Sequence, residues 1–381
     1  MTYENIKVNS VPAITWNWLK SNNDLISINS VKADFVETKA TVKDLTQGVT
    51  ISSKKAPQNI PEIPTGVFNR SNPKQKDNRN PDGTINEERE YALQSSENHP
   101  IANLINEILP DGQYITISGK LEKPLILNFD FDKAAVSKHL IHAKADCEAT
   151  VIFIYHGNAD TILLQSKIYA EENAKLHIIK VQLLGDSSLQ LDDTGITAQA
   201  NSDIKFTLVE LGGHHVDSGL NVNLLGYQSA FHANTAYICT QNQYLDMNHI
   251  VYHTGKKTVC DMQVHGTIKD QATKVYRGTL DFQKGCSGSQ GNEFEETLIL
   301  SPEARNKSFP IILCGEDDIQ GEHGSTIGRI SSDLLFYMQT RGISRKAAEE
   351  MMARAKVQAV MDLIPDEETK NLITEYLDKK E

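Results

Sequence analysis

The chain has 381 residues, 39% of them hydrophobic, and its 38 Lys and Arg against 50 Asp and Glu give a net charge of −12. The length allows roughly two or three domains of about 150 residues, or one elongated all-β domain. The acidic balance argues against a nucleic-acid-binding protein, because the phosphate backbone requires a basic face. The start of the sequence lacks a signal pattern and the longest apolar runs are too short to span a bilayer, so we expect a cytoplasmic protein that does not bind membranes.

Residues 1–110 are predicted to form an N-terminal helical region that contains a Pro-rich linker at about 54–90. The region opens with an amphipathic stretch around Trp16, Trp18, Leu19 and Leu25, and residues 86–109 are helical in part, with an interruption at Pro100. Five prolines lie between residues 54 and 90 among Asn, Lys, Arg and Asp. Proline fixes φ and removes a donor, so this part is typical of an extended, partly mobile connection. The alternative is an ordered arm that lies along another domain.

Residues 111–328 are predicted to form an all-β body, because short runs rich in Val, Ile, Leu and Thr alternate with Gly, Asn and Asp. A weak repeat starts at Ala143, Ala170, Ala198 and Gly226, at nearly equal intervals along the chain. In each unit an Asn, Asp or Ser follows three positions later and a strand comes next. A fixed period indicates one unit stacked on its own copies. We therefore predict a right-handed parallel β-helix (β-solenoid) with Asn or Asp at tight corners and Ala packed inside; jelly rolls and sandwiches do not predict a fixed period.

Residues 329–381 are predicted to form a C-terminal helical domain of three helices. Ser331 and Ser344 are typical N-caps, and Gly342 is typical of the residue that ends a helix. Pro365 stops the second helix, and the acids that follow it suit the positive end of the third helix dipole.

The five cysteines are odd in number and widely separated in the sequence, which disfavours both a disulfide framework and a local zinc site. Cys260, Cys286 and Cys314 follow one another at intervals close to one solenoid turn each. Two of these thiols would stack about 5 Å apart if the turns continue that far. The alternative is three independent buried cysteines.

Two histidine pairs are interpreted as structural. His249 and His253 lie in a strand context, where their spacing of four positions separates them by roughly 13 Å, too far for one metal ion. His214 and His215 are adjacent, so on a strand they would point to opposite faces. The sequence also lacks a G-x-x-x-x-G-K-[ST] phosphate loop and a G-x-S-x-G elbow.

The segment 314–326 contains a mix of ligands for a transition metal: Cys314, four carboxylates including Glu322, and His323. The alternative interpretation is a turn at Asp317 and Asp318, with His323 supporting the domain junction. For Glu322 and His323 to serve one ion, the chain must turn there, which Gly321 and Gly324 would permit.

Residues 248–360 closely resemble the SufB/SufD family of iron–sulfur cluster assembly proteins. The pieces that carry the resemblance are His253-Thr-Gly-Lys-Lys-Thr258, Val275-Tyr-Arg-Gly278-Thr-Leu, Thr297-Leu-Ile-Leu-Ser301-Pro-Glu-Ala304, Phe309-Pro310, Glu322-His-Gly-Ser-Thr-Ile-Gly328 and Leu335-Phe-Tyr-Met-Gln-Thr-Arg-Gly-Ile343. Weaker similarity extends to the N-terminus. The resemblance independently implies a β-helix core with helical ends.

The resemblance also implies partners and site residues. Two related subunits pair through their β-helices, and each C-terminal helical region docks the ABC-type ATPase SufC, which agrees with the missing phosphate loop. Where SufB has its catalytic cysteine, this chain has Glu293-Phe-Glu-Glu296, and its H-G-[AS]-T-[IV]-G ending is similar to that of SufD, whose histidine maps onto His323. Glu322 departs from SufD and is closer to SufB.

We therefore expect a non-enzymatic, SufD-like subunit without a tightly bound cofactor, at which iron or a nascent cluster binds transiently. His323, Glu322 and Cys314 are the predicted iron ligands, with His323 the residue essential for cluster formation. The SufC-docking site is predicted at Leu335, Phe336, Tyr337, Arg341 and Gly342. Two alternatives stay open: a SufB-like homodimeric scaffold that uses Cys286 or Cys314, and a β-solenoid enzyme acting on carbohydrate.

Overall fold

The computed structural model describes residues 3–12, 20–30, 32–42, 47–53, 60–68 and 99–380. Among these residues, five short strands, a 3₁₀ turn at Lys32–Asp34 and one α-helix precede the solenoid. They are β1 (Tyr3–Val8), β2 (Asp24–Ile28), β3 (Val36–Glu37), β4 (Thr41–Val42), β5 (Val49–Ser52) and α1 (Pro100–Ile108).

Sixteen strands then follow one another without an intervening helix. They are β6 (Gln113–Ile117), β7 (Leu125–Phe131), β8 (Ala135–Ala143), β9 (Glu148–Gly157), β10 (Thr161–Ala170), β11 (Lys175–Leu184), β12 (Leu189–Ala198), β13 (Asp203–Glu210), β14 (His215–Leu224), β15 (Ala230–Cys239), β16 (Tyr244–His253), β17 (Val259–Ile268), β18 (Thr273–Phe282), β19 (Ser289–Ile299), β20 (Arg305–Cys314) and β21 (Ile319–Gly328). Three helices complete the chain: α2 (Ser332–Thr340), α3 (Arg345–Met361) and α4 (Glu367–Lys380).

Successive strands of the body alternate between two sheets. The even-numbered strands β6 to β20 form sheet 1, and the odd-numbered strands β7 to β21 form sheet 2. Neighbours within each sheet are parallel and in register, as in Ala143, Ala170 and Ala198, which lie side by side on β8, β10 and β12. Each turn of the chain therefore consists of one strand from each sheet, which confirms the predicted parallel β-solenoid.

The corners explain the repeat. Asp146, Asn173 and Asn201 have φ values of 60°, 60° and 56°, in the left-handed region that Asn and Asp tolerate best among residues with a side chain. The alanines that precede them are fully buried inside the solenoid. In the fourth unit, however, the positive φ is at Gln228 rather than at the expected Ser229. The predicted corner is therefore one position too far along the chain. The sequence pattern favours Ser229 as the corner residue because serine, like Asn, is a small polar residue.

Both sheets are covered on their outer faces, so the central strands are apolar on both sides. On sheet 1, outward residues such as Leu163 and Leu191 pack against β1, β2, α1 and the segment 60–68. On sheet 2, outward residues such as Ile179 and Val209 pack against α3 and α4. The inward residues form the main core, which is apolar over the first turns.

Segment 60–68 is an ordered arm on sheet 1, which is the alternative considered for the Pro-rich region. Gly66 approaches Gly219 so closely that a Cβ on Gly66 would lie 1.9 Å from the Gly219 carbonyl oxygen. The backbone amide of Val67 donates to Asp193, and Asn221 donates to the carbonyl of Thr65. The rest of the predicted linker (54–59 and 69–90), as well as Trp16, Trp18 and Leu19, lies outside the described residues.

The N-terminal region differs from the expected helical one in its described part, which contains five short strands and the single α-helix α1. Val8, Ile26 and Ile28 are buried on sheet 1, and a two-stranded hairpin presents such alternating residues to a sheet as well as a helix does. The helix that starts at Pro100 agrees with proline at the first helical position.

The C-terminal helices begin where the sequence predicts. The hydroxyl groups of Ser331 and Ser344 accept hydrogen bonds from the amides of Leu334 and Ala347, and Gly342 ends α2 with a φ of 83°. Helices α3 and α4 share a core with sheet 2, whereas none of the residues of α2 is buried. Among the helices of the described residues, none is long and apolar enough to cross a membrane.

Candidate functional site

The C-terminal end of the solenoid is open in the part of the chain that the structure describes. Strand β20 is the last strand of sheet 1 and β21 the last strand of sheet 2, and each has a neighbour on one side only. An edge strand has free N–H and C=O groups that a further strand can pair with. The inward side chains of β21 from His323 to Ile327 are consequently exposed, although their register partners on β19, from Glu293 to Thr297, are buried. Those of β20 are mostly half-buried.

His323 lies on the inward-facing side of β21, at this open end. It is in register with Glu293 of β19, and a Cβ on its neighbour Gly321 would lie 3.0 Å from the ring of Phe282 in the core. Its side chain is exposed, so the imidazole lies above the interior of the solenoid and is accessible to solvent. An imidazole in this place can bind an incoming ion or group.

Glu322 does not join His323 in one ligand set. The strand β21 runs without a turn from Ile319 to Gly328, so adjacent side chains point to opposite faces. Glu322 is in register with Asn292 on the outward side, whereas His323 is in register with Glu293. The expectation of a turn between Gly321 and Gly324 is wrong, since both glycines fit the strand.

Cys314 ends β20 in the other sheet and is exposed. Its register partner is Phe282, and the amide of Gly315 donates to the Phe282 carbonyl oxygen at 2.7 Å. Within the described ranges, Cys314, Glu322 and His323 do not form a convergent group of metal-ligating atoms. They share the open end of the solenoid, but a metal site there requires ligands from elsewhere.

The predicted column of cysteines is also wrong. The register partners of Cys260 are Phe231 and Gly291 in sheet 2, Cys286 lies in the turn before β19, and Cys314 lies in sheet 1. The intervals between these cysteines do not match the solenoid turns, because the turns at this end are longer. The three residues therefore lie in different sheets and in a corner. Burial raises the pKa of Cys286 to about 11 and that of Cys239 to about 12, so these buried thiols are poor nucleophiles.

A polar cluster fills the interior one turn below His323. Lys274 forms a close ion pair with Glu295, which also accepts hydrogen bonds from Ser308 and, at 3.0 Å, from Thr297. Glu293 is buried in the next inward position of β19. A Cβ on Gly278 would lie 1.9 Å from the Glu293 Oε1 atom, so the missing side chain of Gly278 makes room for this carboxyl group.

Burial raises the pKa of Glu293 to about 8, and the nearby charge of Glu295 adds to the effect. Glu293 can therefore hold a proton near neutral pH, directly beneath an exposed imidazole. In the sequence, 293–296 stands out only as the place of a missing cysteine. The signal that could have found this cluster is the spacing of two acids at i and i+2 on a strand, which puts both on one face.

His249 and His253 pack in the interior, as the structural interpretation expects. The ring of His249 makes an edge contact with Tyr276, and His253 stacks on Phe282 with 4.4 Å between ring centroids. Burial lowers their pKa values to about 4 and about 3, so both are neutral at physiological pH. Of the second pair, His214 is exposed, whereas His215 lies on the outer face of β14 beside Asp24 and Asp217.

Helix α2 carries an exposed apolar surface next to the open end. We define the α2 surface as Leu334, Phe336, Tyr337 and Arg341, whose first three members are 40%, 68% and 56% exposed. The guanidinium of Arg341 lies 5.4 Å from the centroid of the Tyr337 ring. Leu335, also predicted to dock a partner, is half-buried. A cluster of exposed large apolar side chains is typical of a protein-binding surface.

The sequence matches a known protein family over more than half of its length. Residues 127–356, more than half of the chain, match the family model described as SUF system FeS cluster assembly, SufBD core domain. The chain is 24% identical over 216 residues to the iron-sulfur cluster assembly protein SufD of Bacillus subtilis, covering 56% of this chain and 49% of that protein. It is 26% identical over 165 residues to SufD of Escherichia coli, covering 43% and 38% of the two chains. The matched part of the chain thus spans half or less of these relatives.

Proposed function

Because the chain belongs to the SufBD core family of SUF iron–sulfur cluster assembly proteins, we propose that it is a SufD-like, non-enzymatic subunit of an assembly complex. It pairs with a SufB-type scaffold through the β-solenoid and docks a SufC-type ATPase through its C-terminal helices. At the interface with the scaffold it helps to acquire iron and to form the nascent cluster. Iron is here the cargo of the complex.

The observation that supports this proposal best is the position of His323. The residue that the family resemblance singles out lies at the open end of the solenoid, on the edge strand β21 and in register with the buried Glu293. Free strand edges on both sheets suit the addition of strands from a related solenoid. A partner that covers this end would place its own side chains against His323.

The chemistry of the open end requires such a partner. A neutral imidazole ligates ferrous iron, but a sulfide-bridged cluster also needs thiolate ligands. Within the described chain, the buried thiols Cys147, Cys239, Cys260 and Cys286 are held in the core, and Cys314 is the exposed one. The partner scaffold therefore supplies the thiolates, and His323 supplies a nitrogen ligand from this side.

The test is anaerobic co-purification of the chain with a SufB-type subunit and a SufC-type ATPase, with iron and sulfide counted per complex. His323→Ala is expected to leave the complex assembled and its ATPase active while iron and sulfide fall at least about 10-fold, because one ligand of the site is removed. His232→Ala, at a half-buried histidine of β15 on the other side of the sheet, is the matched control. Normal cluster content in the His323→Ala complex would place the site elsewhere.

The exposure of Cys314 favours one alternative, a SufB-like homodimeric scaffold that uses Cys314 in place of the missing cysteine. Cys286, the other thiol considered for this role, is fully buried and has a raised pKa. Reconstitution of the chain with the SufC-type ATPase alone separates the two functions. A cluster that forms without a SufB-type subunit and is lost in Cys314→Ser supports the homodimer; a cluster that requires the second subunit supports the SufD-like role.

A further inference from the structure

A second group of ligand side chains lies on the outer face of sheet 1, far along the chain from His323. His215 and Asp217 are two positions apart on β14 and so point to the same, outer side. Asp24, the first residue of β2, reaches the same place from the N-terminal hairpin. The Nε2 atom of His215 lies 2.9 Å from Asp24 Oδ2 and 3.2 Å from Asp217 Oδ2, and the three ligand atoms lie within 4.8 Å of one another.

Hydrogen bonding alone does not satisfy this group. The Nε2 atom carries one proton at most, and its hydrogen bond is directed at Asp24 Oδ2. Asp217 is fully buried; its Oδ2 atom lies 3.2 Å from the His215 Nε2 atom but receives no hydrogen bond of good geometry within the described residues. A buried carboxylate oxygen that lacks a well-aligned hydrogen-bond donor is costly, so this oxygen is available to a further ligand.

The remaining carboxylate oxygens are held by outer partners. The hydroxyl of Tyr244 donates to Asp24 Oδ1 at 3.2 Å, and the amide of Asn9 donates to Asp217 Oδ1 at 3.3 Å. The ring of Tyr244 also packs on the ring of His215, with 4.7 Å between centroids. Such contacts orient the ligands of metal sites and leave one oxygen of each carboxylate free for the ion.

The charges point in the same direction. The nearest further carboxylate, Asp246, forms a close ion pair with Arg277 and is thereby balanced. When both are ionised, Asp24 and Asp217 carry two negative charges, which a protonated His215 balances only in part. A divalent cation bound to a neutral imidazole and two carboxylates would balance both.

We propose that Asp24, His215 and Asp217 bind a divalent first-row transition ion that ties the N-terminal hairpin to the solenoid. One imidazole nitrogen with two carboxylate oxygens suits zinc, ferrous or manganous ions. Zinc bonds of about 2.0–2.2 Å in tetrahedral geometry separate neighbouring ligand atoms by about 3.3 Å. The observed 2.9 and 3.2 Å need to widen only slightly to admit the ion. The proposal does not depend on the cluster-assembly function.

The test uses the full chain, stripped with EDTA and titrated calorimetrically with Zn²⁺, Mn²⁺ and, anaerobically, Fe²⁺. All titrations are repeated in His323→Ala, so that binding at the open end is separated from binding here. We expect one ion per chain, with an affinity that falls at least about 30-fold in His215→Gln and in Asp24→Asn, in line with the loss of one ligand. His232→Gln, at another histidine beside an aspartate, is the matched control and is expected to bind as the wild type does.

Thermal unfolding and diffraction test the site independently of whether a variant folds. The bound ion is expected to raise the Tm of the wild type and of His232→Gln, but not that of Asp24→Asn. Crystals of the wild type grown with zinc should show an anomalous peak between the three side chains. The proposal is overturned if the wild type binds no ion saturably, if His215→Gln binds it unchanged, or if the anomalous peak lies elsewhere.

Discussion

At the scale of single residues, inward polar side chains near the open end of the solenoid are buried in one turn and exposed in the next. Glu293 is buried next to Glu295, whereas His323, its register partner, is exposed. The difference arises because β19 has a neighbour on both sides and β21 on one. The same inward position thus has a raised pKa in one turn and solvent access in the next.

The raised pKa of Glu293 predicts a pH dependence of stability. With a folded pKa of about 8 against a usual value of 4.5, the folded protein retains a proton that the unfolded chain releases. Stability therefore decreases as pH rises between these values. Glu293→Gln keeps a neutral side chain and removes this contribution. As pH rises, the free energy of unfolding should therefore fall less in the variant than in the wild type; the difference between the two slopes is up to about 1.4 kcal/mol per pH unit.

The measurement is urea unfolding of both proteins at pH 5.5 and pH 7.5, compared as a difference so that other titrating groups cancel. Glu322→Gln, at an exposed carboxylate of the last strand, is the control and should follow the wild type. An identical pH slope for Glu293→Gln and wild type would show that Glu293 is ionised in the folded protein throughout this range.

At the scale of elements, α2 differs from the two helices that follow it. Helices α3 and α4 bury residues such as Val357 and Ile373 against sheet 2, while α2 keeps Phe336 and Tyr337 exposed. Its caps at Ser331 and Gly342 stabilise the helix locally, so its exposed side need not pack on the body to stay ordered. This leaves the α2 surface available to a partner.

For the α2 surface we predict a loss of ATPase docking without a loss of stability. Phe336→Ser with Tyr337→Ser is expected to change the free energy of unfolding by less than about 0.5 kcal/mol, as is usual for exposed positions. Binding of a SufC-type ATPase, measured by co-purification and calorimetry, should weaken at least about 30-fold, because aromatic side chains dominate protein interfaces. Tyr227→Ser, at a tyrosine of similar exposure on a solenoid corner, should bind normally. Unchanged binding of the double variant would move the docking site off α2.

At the scale of the whole molecule, the solenoid has two unlike ends. At the N-terminal end, β4 and β5 add to sheets 2 and 1 in antiparallel orientation and β3 pairs beside β8, so the parallel stack ends there in short antiparallel strands. At the C-terminal end, β20 and β21 have free edges in the described chain. A partner that pairs through strands is therefore expected at the C-terminal end.

This asymmetry predicts opposite effects for two similar substitutions. Ile327→Lys on β21 should prevent association with a SufB-type subunit, because a charge on an edge strand opposes further pairing. Val36→Lys, at an exposed β-branched residue of the other end, should leave association intact; the two positions are 51% and 49% exposed. Association is measured by analytical ultracentrifugation of the mixed subunits. Normal assembly with Ile327→Lys and failure with Val36→Lys would reverse the assignment of the ends.

The sequence by itself determined the features that depend on local or periodic signals. The nearly equal intervals between the repeat starts predict the stacked turns, because Asn and Asp are favoured where the backbone takes a positive φ, as at Asn173. The caps at Ser331 and Ser344 predict the starts of α2 and α3, since a side-chain oxygen satisfies amides within one turn. The motifs near His323 identify the family over the last third of the chain.

Only the tertiary structure decided which side chains meet. Periodicity suggested that two of the thiols of Cys260, Cys286 and Cys314 would stack, but the longer last turns distribute the three residues over two sheets and a corner. Amphipathic spacing predicted a helical N-terminus, whereas in its described part the strands β1 and β2 cover sheet 1. Asp24 reaches His215 across 191 positions of sequence, and no local pattern records such a contact. Burial and register arise from the stacking of all turns together, so they become defined only when the whole chain is folded.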